Sequence, residues 1–327
     1  MNGPDIQDRD IIVGGAPEGF DARLLARHVG KHAQPVVHIA RDDARLDQTR
    51  RALAFFAPEL PVFEFPAWDC LPYDRISPNA AVSAARMATL ATLAGGFDKP
   101  FVLLTTVHAA MQYVPARTVL KNASFVATVG QRIDEAKLRA YFAKMGFQKA
   151  PSVTEPGDYA IRGGLIDVYP PGESGPVRLD LFGDVLDGAR RFDPESQKTV
   201  EKLKRVEFAP VSEVILDEAA IQRFRQNYRV EFGAAGSDDP LYESVSAGRK
   251  YQGVEHWTPF FHETLETLFD YLPGVTTFFD ERYDHVLRGR WDSILDQYDA
   301  RMQALQNKSR LDSVYKPCAP DTLYLDE

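Results

Sequence analysis

PVVHIARDDARLDQTRRALAFF, residues 35–56, decides the fold class: a short apolar β-type run passes through a polar junction into a helical pattern. The same pairing recurs on both sides of it. IIVGG (11–15) precedes DARLLARHVGK (21–31), VFEFP (62–66) precedes AAVSAARMATLATL (80–93), and FVLLTT (101–106) precedes VHAAMQYV (107–114). Strict strand–helix alternation predicts a parallel α/β sheet. The strands are continuous apolar runs, as expected where helices cover both faces of a sheet.

Outward from this region the pattern changes. After about Leu120 comes one amphipathic helix, DEAKLRAYFAKMGF (134–147), with Leu138, Tyr141, Phe142 and Met145 at helical spacing and Gly146 as its C-cap. Strands then dominate. RLDLF (178–182) and VLDGARRFD (185–193) flank Gly183–Asp184, a two-residue turn whose first position tolerates positive φ, which predicts a β-hairpin. Helical patterns return from Asp217, followed by the strand-like TTFFDE (276–281) and a long helix over about Tyr283–Asn307. A smaller α+β insert (121–207) is therefore expected to interrupt an α/β domain made of residues 1–120 and 208–327.

The 327 residues exceed the usual size of one hydrophobic core, which agrees with two domains. No run of about 18 apolar residues could span a bilayer, and the acidic N-terminus MNGPDIQDRD lacks the pattern of a secretory signal, so a cytosolic location is expected. Cys70 and Cys318 have neither disulfide-framework nor zinc-site spacing. The net charge of −9 opposes autonomous binding to a nucleic-acid backbone. That charge lies in the flanks: residues 121–207 alone carry 14 basic and 13 acidic side chains.

At the first strand–helix junction, VGGAPEGFDARLL (13–25), Gly14, Gly15 and Gly19 stand where a phosphate loop would lie. A working loop also needs a Lys for the β and γ phosphates and a Ser or Thr for magnesium. Neither is present, and Glu18 adds negative charge. Asp280–Glu281 ends a strand as the magnesium-holding acidic pair of such enzymes does, and equally fits a solvated turn. Together these five residues read as a degenerate nucleotide site. No HExxH zinc helix follows His262–Glu263, the aromatics of WTPFF (257–261) read as core, and no Gly-x-Ser-x-Gly elbow occurs. No catalytic set is credible, and no cofactor is called for.

The block from Glu155 to Pro194 is different. Arg162 interrupts YAIRGGLIDVY, and Arg178, Asp180 and Phe182 share one strand face because side chains alternate with period two. A guanidinium beside an aromatic on a sheet surface fits an interface anchor. It fits equally an Arg paired with Asp180 or Asp167 on a solvated face.

FPAWDCLPYDRISPNAAVSAARMATL (65–90), YAIRGGLIDVYPP (159–171), VRLDLFGDVLDGARRFDPESQ (177–197) and GVEHWTPFF (253–261) resemble the N-terminal module of the bacterial transcription-repair coupling factors, itself similar to the first domains of the excision-repair protein UvrB. The resemblance covers nearly the whole chain. It implies an NTPase-like domain with a P-loop fold, split by a smaller domain that recruits the damage-recognition protein UvrA. It implies that Arg162, Arg178 and Phe182 contact UvrA, with Arg190 at the edge of the same surface. It also implies that RNA polymerase and DNA are engaged by regions of the longer family members that this chain lacks. The chain departs from UvrB in its depleted GGAPEGF loop and in passing from PYDRISPNAAVSAARM straight into a helix where UvrB inserts a DNA-gripping hairpin. A non-catalytic adaptor is the expected function. A cryptic nucleotide-hydrolysing module using Asp280 and Glu281, and a DNA-binding module, are the alternatives.

Overall fold

The computed structural model describes residues 12–233, 239–307 and 315–326. The first part alternates: α1 (Phe20–His32), β1 (Val36–Ala40), α2 (Asp43–Phe56), β2 (Val62–Phe65), α3 (Ala80–Gly95), β3 (Val102–Thr106), α4 (Val107–Ala110), β4 (Val114–Pro115) and α5 (Arg117–Ala123). Strands then prevail: β5 (Phe125–Thr128), α6 (Glu135–Lys144), β6 (Gln148–Lys149), β7 (Asp158–Arg162), β8 (Leu165–Val168), β9 (Val177–Phe182), β10 (Val185–Phe192), β11 (Thr199–Leu203) and β12 (Arg205–Phe208). The last part contains α7 (Glu218–Phe232), α8 (Pro240–Ser246), a 3-10 segment (Val254–Phe260), β13 (Leu265–Glu266), β14 (Thr276–Phe279), α9 (Tyr283–Gln306) and α10 (Pro320–Leu323).

The protein is a mixed α/β structure, and the alternation does build a parallel sheet, in the order β14-β1-β3-β2. Both its faces are covered, and the central strands β1 and β3 are buried along their whole length. Val37, Ile39 and Leu103 enter one core with Trp257, Phe224 and Tyr271, while Val36, Ala40 and Leu104 enter another with Leu25 and Leu53 of α1 and α2. Asp42 caps α2 by accepting from the Arg45 amide, and Asp217 caps α7 in the same way from Ala220.

Two expectations fail locally. Residues 12–15 of IIVGG form no strand, and Ile12 is 96% exposed; Ile11 lies outside the described residues. Three apolar residues before paired glycines offer little side chain to pack, and the interior positions of the sheet are taken by β1 and β3. The glycine loop therefore leads into α1 with no described strand behind it. The helix expected over 107–114 stops at Ala110, because the Tyr113 amide donates to the Leu323 carbonyl and Val114 pairs with Glu266 in β4–β13. Tertiary pairing there outweighs local helical preference.

The strand-rich stretch builds a six-stranded sheet, β11-β10-β9-β8-β7-β6, over its own core. Leu138 and Phe142 of α6 pack beneath it with Ile166, Val177, Leu179 and Phe208. The short strand pair β12–β5 closes the base, Phe208 opposite Phe125. Just beyond β12, Glu213 pairs with Arg86 of α3 at 2.6 Å, both side chains buried. Arg86 also donates to the Pro66 carbonyl and Gln112, Trp68 donates to Glu213, and the Arg86 guanidinium lies 4.2 Å from the Phe65 ring centroid. This buried network fastens the exit of the strand-rich unit to the parallel-sheet unit.

Candidate interaction surface

One face of the six-stranded sheet is apolar and buried on α6; the other meets solvent. Alternation along β9 sends Val177 and Leu179 inward and Arg178, Asp180 and Phe182 outward. The β9–β10 hairpin forms as the Gly183–Asp184 turn predicts, with Phe182 opposite Val185 and Gly183 at φ 64°. At the neighbouring β7–β8 turn, Gly164 packs so closely on β9 that a Cβ would lie 2.6 Å from the Leu181 carbonyl oxygen, so only glycine fits.

Register brings the expected residues onto the outer face together. Arg178 stands between Asp167 on β8 and Arg190 on β10, and Arg190 stands opposite Lys202 on β11. In the next row Asp180 stands between Leu165 and Gly188, and Leu165 is opposite Arg162. Phe182 continues the β9 series and is 83% exposed, an unusual position for a large apolar ring. Arg162, Arg178, Phe182 and Arg190 thus occupy one solvent-facing surface across β7, β9 and β10.

The arginines differ in how tightly they are held. Arg178 grips Asp167 with two hydrogen bonds, Nε at 2.6 Å and Nη2 at 2.8 Å, and Nη2 also reaches Gln197 at 3.0 Å. Its guanidinium stacks 4.6 Å from the Phe192 ring centroid, and the Asp167 bond raises its pKa above the ordinary arginine value. Arg190 lies 3.4 Å from Asp180, a looser and more exposed pair. The exposed Arg162 side chain bonds the Pro151 carbonyl and makes no ion pair among the described residues. Pairing with Asp167 and presentation on an open face therefore coexist at Arg178. The carboxylate orients the guanidinium while Nη1 makes no hydrogen bond within the described protein.

Sequence reasoning did not reach Lys202, Gln197 or Phe192. Their only signal is cross-strand register, which requires knowing how β10 and β11 align.

The five residues expected to form a degenerate nucleotide site are arranged differently. Gly14 and Gly15 lie in the open, where an added Cβ would meet nothing, and Gly19 at φ 78° leads into α1. Asp280 is buried, and Arg45 of α2 reaches its Oδ1 at 3.3 Å while binding Asp21 of α1 at 2.5 Å. Arg41 bonds Glu281 at 2.9 Å, and its amide reaches Asp280 at 3.4 Å. The acidic pair is thus occupied by arginines of the chain itself. His38, on β1 among these charges, is buried, its ring nitrogens make no hydrogen bond among the described residues, and burial lowers its pKa.

The fold and surface define a parallel-sheet α/β unit that carries a mixed, mainly antiparallel sheet with an open, arginine-bearing face. The UvrB interaction domain family matches residues 110–213, the stretch that contains this sheet. Transcription-repair-coupling factors are similar to the chain: that of Escherichia coli K12 is 35% identical over 78% of this chain and 22% of its own length. That of Myxococcus xanthus is 34% identical over 79% and 22%, and that of Haemophilus influenzae 29% over 96% and 27%. By these matches the chain resembles the UvrB-like module of the transcription-repair coupling factors over most of its own length. It spans about a quarter of the length of the relatives it matches. Among the described residues no helix is long and apolar enough to cross a membrane.

Proposed function

We propose that this chain is a non-catalytic adaptor that presents the outer face of its six-stranded sheet to UvrA, bringing excision repair to stalled transcription. Arg162, Arg178 and Phe182 are the contacts, with Arg190 at their edge. The observation that carries the reading is their convergence on one solvent face, where an exposed aromatic adjoins guanidinium groups already oriented by carboxylates. Such a combination suits a partner with an acidic patch and a pocket for a ring. In the longer protein, RNA polymerase and DNA are engaged by other regions.

In the same reading residues 121–207 are the inserted partner-binding domain. Residues 1–120 and 208–327 form an NTPase-like mount whose nucleotide site has been replaced by charge pairing. Arg45 stands between Asp21 and Asp280, so the carboxylate a metal would need is already neutralised.

Co-purification of this chain with UvrA, beside a calorimetric titration with magnesium ATP, tests the proposal. The expected result is a complex with UvrA, abolished by Arg162→Ala with Arg178→Ala, and no saturable heat with ATP. Saturable ATP binding without UvrA capture would overturn it.

A further inference from the structure

The arginine surface does not end at β10. The register row runs Asp167–Arg178–Arg190–Lys202 across four adjacent strands, so three cations stand side by side at the sheet's strand spacing of about 4.8 Å. The first two have carboxylates of their own, Asp167 for Arg178 and Asp180 for Arg190. Lys202 is exposed on the edge strand and makes no ion pair among the described residues. The acid beside it in sequence, Glu201, turns to the opposite face and bonds Arg191. Positive charge along the row is therefore least compensated at its β11 end.

We propose that Lys202 is a further partner contact, and that the interface extends over β11 to an acidic side chain of the partner placed beyond those that meet Arg178 and Arg190. This rests on the adaptor reading and adds to it a direction: charge demand on the partner increases from β8 toward β11. The interleaved carboxylates favour a protein over a polyphosphate. Asp167 and Asp180 would repel a phosphodiester chain laid across the row, whereas acidic side chains of a protein can be placed to meet each cation separately. A lysine fits the outermost position, since its flexible stem can follow a rim carboxylate without the fixed geometry a guanidinium needs.

The test is a titration of purified UvrA with the wild-type chain and with Lys202→Ala, Lys202→Glu and Arg178→Ala, each at low and moderate salt. Lys202→Ala should weaken binding about threefold and flatten the salt dependence of the association rate, and Lys202→Glu should weaken it about tenfold or more. Lys202 is exposed on an edge strand and belongs to none of the three cores, so both variants should fold. If Lys202→Glu binds like wild type while Arg178→Ala loses affinity, the extension over β11 is wrong and the adaptor reading stands. If Arg178→Ala also binds like wild type, the reading beneath it has failed. If the Lys202 variants change affinity for duplex DNA and leave UvrA binding alone, the row serves phosphates and the inference is overturned.

Discussion

Glu213→Gln isolates the buried network that joins the two units. Glu213 is 3% exposed and Arg86 wholly buried, and the carboxylate takes Arg86 Nε at 2.6 Å, Nη2 at 3.3 Å and the Trp68 indole at 3.0 Å. Glutamine keeps the shape and one acceptor oxygen but sets an amide NH2 against Nη2 and leaves the Arg86 cation buried without a counterion. Removing one partner of a buried pair costs about 3–5 kcal/mol. At roughly 2 °C per kcal/mol for a chain of this size, the first thermal transition should fall by about 6–10 °C. Arg139→Ala is the internal comparison, because its pair with Glu135 is exposed on both sides and should be worth under about 0.5 kcal/mol. Circular-dichroism melts of the three proteins measure the difference. A Glu213→Gln midpoint within about 2 °C of wild type, indistinguishable from Arg139→Ala, would refute the claim that this pair fastens the units.

Stability should decline in mild acid. Burial pushes His256 down to about 4 from 6.5, so between those values the unfolded chain binds a proton that the folded chain refuses. The contribution, about 3 kcal/mol, is complete above pH 6.5 and lost as pH falls toward 4; buried His38 and His262 shift in the same direction. Urea midpoints at pH 7 and pH 5 should differ accordingly, and equal midpoints would contradict it. Asp167→Asn should weaken UvrA binding severalfold by loosening Arg178, and should do nothing further in an Arg178→Ala background. A double-mutant cycle with a coupling below about 0.5 kcal/mol would deny Asp167 its positioning role.

Much of this fold was legible in local pattern. The β1–α2 pair announces itself because a buried parallel strand is mostly apolar, with His38 the one polar residue of β1, and a polar junction with a capping Asp42 separates it from its helix. The hairpin at Gly183–Asp184 is a two-residue turn with a chemical reason for its glycine. What failed was decided at a distance. VHAAMQYV has a helical pattern, yet its second half pairs with residues near 266 and 323. The surface residues divide in the same way. Arg178 and Phe182 are on one strand, so period two places them together, whereas Lys202 joins them only through the alignment of β10 with β11, which has an irregularity between Arg191 and Phe192. Arg45 carries no motif, and its role between Asp21 and Asp280 depends on three separate elements meeting.

In the proposed function the open sheet face binds UvrA through its arginines. Its most direct measurement is a titration of purified UvrA with this chain and with the Arg162→Ala, Arg178→Ala double variant, after circular dichroism has established that both are folded. The wild-type chain should bind saturably and the variant should lose at least about thirtyfold in affinity, since one interface arginine of this kind is worth about 2 kcal/mol or more. Equal affinities for the two folded proteins would contradict it.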